Sequence, residues 1–439
     1  MIFLIIFVGM ILRSISLNQS FWLDEATTAL VAKMSVSEMF SKFLPSDFHP
    51  PLYYLFMKFW TGVFGYSEIS LRVPSLIFGL GTIYLCYVIG KKLFDKNVGL
   101  ISAALIAVSG LAIYYSQEAR MYELVALLVS CLVYSYINRK WYLFSIILLL
   151  VGMTDYVALL VFPVFIIIDF KNWRKLFLSL VPLSIGYIIW SPIFVKQILN
   201  GLSVKGSSWW NILGTPTFKN LALIPIKFMF GRISFDNKIF YFTILAVALC
   251  FFGFLLYKSL KSSKILWVWL VFPILIGFIG SFIIPTLTYF RYLFCLPAFY
   301  LLIAYGIRKT GKLFLPLTVV LIVFNLCVSG YYLLNSKFHR ENWRGLVNYI
   351  ESKKDKNSIT VFPANSNMEA YFYYAPNAKI TGQTGIGATY HQVWFVDYLS
   401  SIFDPDGATK SKITDLGYKK QGEYSFNGIG SVYLYENSN

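Results

Sequence analysis

The sequence has little charge, few histidines and few cysteines. Charged residues make up 13% of its 439 residues, against 57% that are hydrophobic, and there are three histidines and five cysteines. The cysteines all lie in apolar runs, where a thiol ordinarily serves as a small hydrophobic side chain, so we predict neither a disulfide framework nor a thiolate metal site. No H-E-x-x-H spacing and no G-x-x-x-x-G-K-[ST] loop occurs, which removes support for a zinc hydrolase or an ATP-driven transporter.

Long apolar runs occupy residues 1–334. A membrane-spanning helix needs roughly 20 mainly apolar residues, and this region has room for about eleven such helices. The first run, Met1 to Leu17, lacks the basic start and the cleavage site of a signal peptide, so we expect it to be retained. The sequence therefore predicts a polytopic α-helical protein of the plasma (inner) membrane, with the lipid bilayer as its solvent.

The formal charge of +17 is weak evidence for nucleic acid, and no nucleic-acid partner is predicted, because membrane proteins concentrate Lys and Arg in their cytoplasmic loops. Compact basic clusters occur in five short connections, at 91–96, 139–140, 171–175, 258–264 and 308–312. Placing these connections in the cytoplasm puts the alternate ones on the outer face. The acidic and aromatic clusters of the chain all fall on that outer side.

The composition changes after about residue 335. Residues 335–439 have a mixed α/β pattern and a length typical of a small soluble domain, whereas residues 1–334 form the membrane part. An odd number of spans, with the N-terminus in the cytoplasm, places this C-terminal domain outside.

The first outer connection, residues 18–72, carries two adjacent carboxylates, Asp24 and Glu25. The apolar segment Leu52 to Phe64 is too short to span a bilayer and is predicted to be an interfacial helix, with Tyr53 and Tyr54 among its aromatic residues. His49 is followed by two prolines, which favour an extended approach and a helix start. We expect this geometry to hold His49 near Asp24.

Six motifs occur in a fixed order along the chain. They are Trp22-Leu23-Asp24-Glu25, His49-Pro50-Pro51-Leu52-Tyr53-Tyr54, Leu71-Arg72-Val73-Pro74-Ser75, Tyr115-Ser116-Gln117-Glu118-Ala119-Arg120-Met121-Tyr122, Arg291-Tyr292-Leu293 and Asn342-Trp343-Arg344. In this order they resemble the GT-C glycosyltransferases of the protein O-mannosyltransferase-like branch, which is related to the lipid A aminoarabinose transferases. The resemblance covers nearly the whole membrane part and the start of the C-terminal domain.

This resemblance implies a GT-C fold and transfer of a monosaccharide from a polyprenyl-phosphate donor to an acceptor hydroxyl on the non-cytoplasmic face. The acceptor is a lipid, a glycan or a protein. The reaction would be a single inverting displacement with Asp24 as general base, a role suited to a carboxylate near the anomeric carbon. Glu25 would orient the acceptor or tune its neighbour. Alternatively, the two carboxylates only cap the helix that starts at Ala26.

A second acidic candidate is Glu118, in the turn 117–120. It would bind sugar hydroxyls or a divalent cation next to Asp24, with Arg120 and Tyr122 facing the donor, or it would simply pair with Arg120. No specific metal ligands are predicted, and no cofactor beyond that divalent cation is considered.

The lipid-phosphate leaving group calls for fixed cations. Arg291, at an outer helix end and followed by Tyr292, is the first candidate, because its planar fork fits phosphate oxygens. Arg72 is the second candidate, although Glu68 stands four residues before it, and His49 is grouped with these donor-binding residues.

Asp155 and Trp209 complete the candidates, as substrate contacts with Tyr53 and Tyr54. Relatives often carry His where this chain has Asp155, which puts an inherited metal site in doubt. A polyprenyl-lipid flippase or transporter is the alternative function, since it also needs a lipid cavity and basic residues but has no use for a general base.

Overall fold

The computed structural model describes residues 1–203, 205, 210, 213–387 and 389–437. Its α-helices are, in chain order, α1 (Ile2–Ser14), α2 (Leu23–Lys33), α3 (Val36–Glu38), α4 (Leu52–Phe64), α5 (Glu68–Leu93), α6 (Lys96–Ala107), α7 (Gly110–Ser116), α8 (Tyr122–Ile137), α9 (Trp141–Gly152), α10 (Phe162–Ile168), α11 (Trp173–Leu178), α12 (Val181–Ser203), α13 (Phe218–Phe230), α14 (Lys238–Lys258), α15 (Lys264–Gly280), α16 (Leu296–Arg308), α17 (Phe314–Leu334), α18 (Trp343–Lys353), α19 (Glu369–Tyr374), α20 (Ser400–Phe403) and α21 (Ala408–Asp415). Short 3-10 segments cover Val157–Val161, Phe170–Asn172, Tyr289–Cys295, Gly311–Leu313, Ser336–Phe338 and Gln383–Gly385, and Met39–Phe43 forms a π-helical turn. The strands are β1 (Ser358–Val361), β2 (Ile380–Thr381), β3 (Gln392–Val396), β4 (Tyr418–Phe426) and β5 (Gly430–Asn437).

The chain divides into two units. The first unit comprises 1–17, 35–60 and 69–338, and the second comprises 18–34, 61–68 and 339–439. The second unit thus includes the segment that carries Asp24 and Glu25.

Several helices of the first unit are suited to a bilayer. In the described residues, five helical stretches are long and apolar enough to cross a membrane, or six if the bent pair α6 and α7 counts as one. Five shorter apolar stretches of 10–17 residues accompany them, and these would need tilting, pairing or local thinning of the bilayer to span. The polytopic helical fold class expected from the sequence is confirmed.

The bend between α6 and α7, 61°, shows how a buried cation is accommodated. A break in a helix leaves carbonyls without their intrahelical partners. Arg13 of α1 donates to two of them, Ala107 O at 2.7 Å and Ile106 O at 3.1 Å, and to Ser116 Oγ at 3.0 Å. Arg13 therefore fixes the bent pair against α1.

The turn that follows α7 is fixed by one amide. Gln117 Nε2 donates to the carbonyls of Arg13, at 3.1 Å, and Ile15, at 2.7 Å. Its Oε1 accepts from Tyr332 Oη at 2.9 Å. Because every polar atom of this buried amide is used, the turn 117–120 has a defined position in the first unit.

The second unit is built on a five-stranded sheet of order β2-β1-β3-β5-β4, in which β2, β1 and β3 are parallel and β5 is antiparallel to β3 and β4. Its core includes Val361, Phe395 and Ile413, all fully buried. The N-terminal segment 18–34 is anchored here, since Phe21 N donates to Tyr374 Oη at 2.8 Å and Arg344 N donates to Ser20 Oγ at 2.9 Å. The small C-terminal α/β domain expected from the sequence is confirmed.

Candidate active site

A cavity of about 360 Å³ lies inside the first unit. Its walls are the turn at Asp155 and Tyr156, the last turns of α12, the last turns of α15 and the segment from Ile284 to Arg291, with His49 at one side. Most of the lining residues are apolar, and the charged or ionisable ones among them include His49, Asp155 and Arg291. Such a cavity, apolar with a small number of placed polar side chains, is typical of a ligand site.

The side of the cavity that carries His49 is held by Gln197, a buried polar residue of α12. Gln197 Nε2 donates to Leu44 O at 2.7 Å and to His49 O at 3.1 Å. Its Oε1 accepts from Tyr156 Oη at 2.5 Å, and Tyr156 Oη accepts from Trp190 Nε1 at 2.7 Å. This relay ties the loop from Leu44 to His49 to helix α12.

Asp47 and His49 form a pair in that loop, with 3.3 Å between Oδ2 and Nδ1 and side chains 15% and 12% exposed. Burial acts to raise the pKa of Asp47, but the neighbouring His49 and Arg120 and a hydrogen bond from Tyr54 together lower it. Arg120 Nη1 lies 3.4 Å from Tyr54 Oη. Asp47 is therefore an ionised carboxylate at neutral pH, held beside two cationic or potentially cationic side chains.

Asp155 is 4% exposed and lines the cavity. Its Oδ1 accepts from the backbone N–H of Val157 at 2.7 Å and of Ala158 at 3.3 Å. These bonds cap the 3-10 segment that begins at Val157, as carboxylates at helix starts commonly do. One oxygen of the carboxylate is thus used by the backbone.

Arg291 lines the cavity from the 3-10 segment Tyr289–Cys295. Its Nη1 donates to Pro285 O at 3.3 Å, which orients the guanidinium along the segment that contains Thr286. Tyr292 is fully buried, and its hydroxyl occupies the space where a side chain at Gly277 would stand, since a Cβ there would meet it at 1.8 Å. Tyr292 thus packs the Arg291 segment onto α15.

The 117–120 turn is buried in the same unit. Glu118 and Arg120 are 1% and 5% exposed, and Arg120 N donates to Glu118 O at 2.8 Å. The ring of Tyr122 packs on Phe290, with 5.1 Å between centroids. Tyr122 is therefore next to the segment that carries Arg291.

Contacts of Arg72 and Tyr53 join parts of the first unit to one another. Arg72 is 1% exposed and its Nη1 donates to Leu17 O at 2.9 Å, tying α5 to the turn that follows α1. Tyr53 is fully buried against Tyr54, with 6.0 Å between ring centroids. Neither residue lines the cavity, whereas Trp209 lies outside the described residues.

Asp24 and Glu25 belong to the second unit and lie in the first turn of α2. Two carboxylates of the C-terminal domain are near Asp24, because its charge contributes to raising the pKa of both Glu341 and Glu369. For Glu341 burial is the main cause, and its pKa rises to about 7. Glu341 accepts from Trp343 Nε1 at 2.6 Å and from Tyr398 Oη at 3.1 Å.

The cavity thus unites three residues predicted from the sequence, His49, Asp155 and Arg291, and the Asp47–Tyr54–Arg120 group adjoins His49. Sequence reasoning missed Asp47, Gln197 and Glu341. A glutamine within the mostly apolar sequence of α12 was the available signal for Gln197. Within the described ranges, no three His, Cys, Asp or Glu side chains are arranged to hold a metal ion.

The apolar helices and the C-terminal α/β domain together have a fold similar to that of GT-C glycosyltransferases of known structure. Residues 48–197 match the family model described as dolichyl-phosphate-mannose-protein mannosyltransferase. No curated protein matches the chain in sequence.

Solved structures provide the fold comparison. ArnT from Cupriavidus metallidurans bound to undecaprenyl phosphate is similar with a TM-score of 0.58 and 12% identity, over 99% of this chain and 97% of ArnT. The oligosaccharyltransferase of Archaeoglobus fulgidus in its apo form is similar with a TM-score of 0.53 and 12% identity, over 100% of this chain and 74% of that one. The archaeal oligosaccharyltransferase AglB from Archaeoglobus fulgidus, in complex with an inhibitory peptide and a dolichol-phosphate, is similar with a TM-score of 0.54 and 12% identity, over 100% of this chain and 74% of that one. The GT-C resemblance read from the sequence is confirmed, at the level of the fold.

Proposed function

We propose that this integral membrane protein is a glycosyltransferase that moves a hexosyl or pentosyl unit from a polyprenyl-phosphate donor to an acceptor hydroxyl. The observation that carries the proposal is the cavity in which Arg291 and His49 stand among apolar walls. A polyprenyl phosphate has the matching chemistry, an anionic head on an isoprenoid chain. Two structural neighbours were solved with undecaprenyl phosphate and with a dolichol-phosphate, which supports the same class of donor here.

In the proposed reaction the acceptor oxygen bonds to the anomeric carbon while the bond from that carbon to the phosphate oxygen breaks. The acceptor proton passes to the carboxylate of Asp24, with Glu25 orienting the acceptor. The electron pair of the broken bond stays on polyprenyl phosphate, whose growing negative charge is met by the guanidinium of Arg291. Arg120, Tyr122 and Glu118 would contact the sugar or the phosphate. Inversion at the anomeric carbon follows, because the acceptor attacks opposite the leaving group.

The proposed sidedness places this chemistry, and the domain 335–439, on the non-cytoplasmic face. It is supported by the five basic clusters, which mark the cytoplasmic loops. Residues 1–334 would form the catalytic membrane domain. The acceptor is a lipid, a glycan or a protein.

The test is turnover of labelled polyprenyl-phosphate sugars by the purified protein in nanodiscs, with mixed membrane and protein acceptors. Asp24→Asn keeps the shape of the side chain but cannot take a proton, so transfer should fall by about 100-fold to 10,000-fold while donor binding persists. If Asp24→Asn retained more than about half of the wild-type rate, another group would be the base. Lipid movement across the bilayer without transfer would instead identify a flippase.

A further inference from the structure

The carboxylate of Asp155 has one oxygen that the fold does not use. Oδ1 accepts two backbone N–H groups, from Val157 and Ala158. Among the described residues, no group within hydrogen-bond distance donates to Oδ2. The residue is nevertheless 4% exposed and belongs to the wall of the cavity.

Neither of the nearby cationic side chains pairs with Asp155 in the part of the chain that the structure describes. His49, on the same cavity, is paired with Asp47 at 3.3 Å. Arg291 donates to Pro285 O at 3.3 Å, and no ion pair joins it to Asp155 in the described part of the chain. A buried carboxylate costs free energy unless hydrogen-bond donors satisfy it. The cap accounts for one oxygen only, so the other oxygen calls for a donor that enters the cavity.

We propose that Asp155 is a specificity residue that accepts a hydrogen bond from a hydroxyl group of the donor's sugar. This deepens the proposed function and rests on it. The phosphate of the donor carries negative charge and would be repelled by a carboxylate, whereas sugar hydroxyls are neutral donors. Within one cavity, Arg291 therefore takes the phosphate and Asp155 takes the sugar. A site built around a hydrogen-bonded hydroxyl discriminates strongly against sugars that lack it, because the carboxylate would then be left unpaired.

The decisive variant is Asp155→Asn, because the amide keeps Oδ1 as the cap acceptor and replaces Oδ2 by an N–H₂ donor. Dissociation constants are measured in nanodiscs for undecaprenyl phosphate, undecaprenyl-phosphate mannose and undecaprenyl-phosphate glucose. The variant should bind the sugar-bearing lipid that the wild type prefers about 10-fold or more weakly. Its affinity for undecaprenyl phosphate should be equal or higher, since a negative charge has been removed.

Asp95→Asn is the matched control, because Asp95 also caps a helix start, with Val98 N at 2.9 Å, but lies in the connection before α6. It should change none of the three affinities. Thermal unfolding and undecaprenyl phosphate binding show whether the Asp155 variant is folded, and Asp155→Ser, which keeps a capping oxygen, repeats the measurement if it is not.

Equal weakening for all three lipids, or unchanged affinity for all three, would overturn the role of Asp155. A wild type that binds undecaprenyl phosphate without preferring either sugar-bearing lipid would overturn the sugar subsite and leave the phosphate site standing. A wild type that binds none of the lipids would instead refute the proposed function itself.

Discussion

Arg291 gives the most direct test of the donor site. Its guanidinium carries five N–H donors, and one of them, on Nη1, is used by Pro285 O at 3.3 Å. The side chain lines the cavity, so at least two parallel donors remain for a phosphate in the bidentate geometry that Arg favours. Arg291→Ala removes the charge and the fork, whereas Arg291→Lys keeps the charge alone.

Hydrogen bonds to charged groups contribute about 1.5 to 3 kcal/mol. Since about 1.4 kcal/mol corresponds to a factor of ten, Arg291→Ala should weaken the binding of undecaprenyl phosphate by about 10-fold to 150-fold. The affinity of Arg291→Lys for undecaprenyl phosphate should lie between those of Arg291→Ala and the wild type, because an ammonium group binds phosphate as a point charge. Turnover should fall as well, since the phosphate gains charge as its bond to the sugar breaks.

The assay is a titration of undecaprenyl phosphate against wild type and both variants in nanodiscs, followed by turnover of a labelled donor. Arg308→Ala is the matched control, because Arg308 also lies at a helix end but pairs with Asp95 at 3.1 Å and is 44% exposed. Equal affinity and equal turnover in wild type and both Arg291 variants would mean that Arg291 only anchors its segment. The phosphate site would then have to be sought at Arg120 or Arg72.

Three further outcomes are expected. Gln197→Leu leaves the carbonyls that the amide now satisfies without a donor, so it should cost about 1 to 3 kcal/mol of stability per buried group and weaken donor binding. Asn200→Ala, which removes an exposed hydrogen bond to the same loop, should leave donor affinity unchanged. Comparable donor affinity in both variants would contradict the role of Gln197. In a cysteine-free background, a single cysteine at Asn365 should react with an impermeant thiol reagent from outside intact cells, whereas one at Ser262 should not. The reverse labelling would invert the topology. Burial raises the pKa of Glu341 to about 7, so the folded state binds a proton at this carboxyl more tightly than the unfolded state does. This contribution to the stability of the folded state is fully present below the ordinary carboxyl pKa of 4.5 and is lost as the pH rises through about 7. Unfolding midpoints between pH 5 and 8 should therefore fall in the wild type and stay flatter in Glu341→Gln, and parallel curves would refute this.

Elements with a strong local pattern were predictable. A helix was expected from Leu52 to Phe64, and α4 occupies those residues; its place at the membrane interface stays a prediction. The first helix of the C-terminal domain, α18 (Trp343–Lys353), also follows a local start signal, because Asn342 is its N-cap. Both segments combine a start signal with an apolar stripe, so the local sequence determines them.

Elements that depend on tertiary contacts could not be predicted from the sequence. Strand β4 contains Lys419, Lys420 and Glu423 and has no apolar alternation, yet it pairs with β5 along its length. It is an edge strand, where charged side chains prevent further pairing, so its polarity conceals it in the sequence. Asp47 was likewise overlooked, because its importance comes from His49, Tyr54 and Arg120, which the chain brings to it from both near and distant positions.

Some residues of the candidate site follow from local sequence signals, and the positions of others depend on tertiary contacts. Arg291 and His49 could be selected from the sequence, because a cation at an expected helix end and a histidine before two prolines are recognisable locally, and their roles toward a donor stay predictions. Their placement on one cavity depends on Gln197, whose amide reaches back more than 140 residues to the loop of His49, and no local pattern encodes that distance. The expected proximity of His49 to Asp24 stays a prediction. What the second unit does establish is that Asp24 lies near Glu341 and Glu369 of the C-terminal domain, because its charge contributes to raising the pKa of both of these carboxyls.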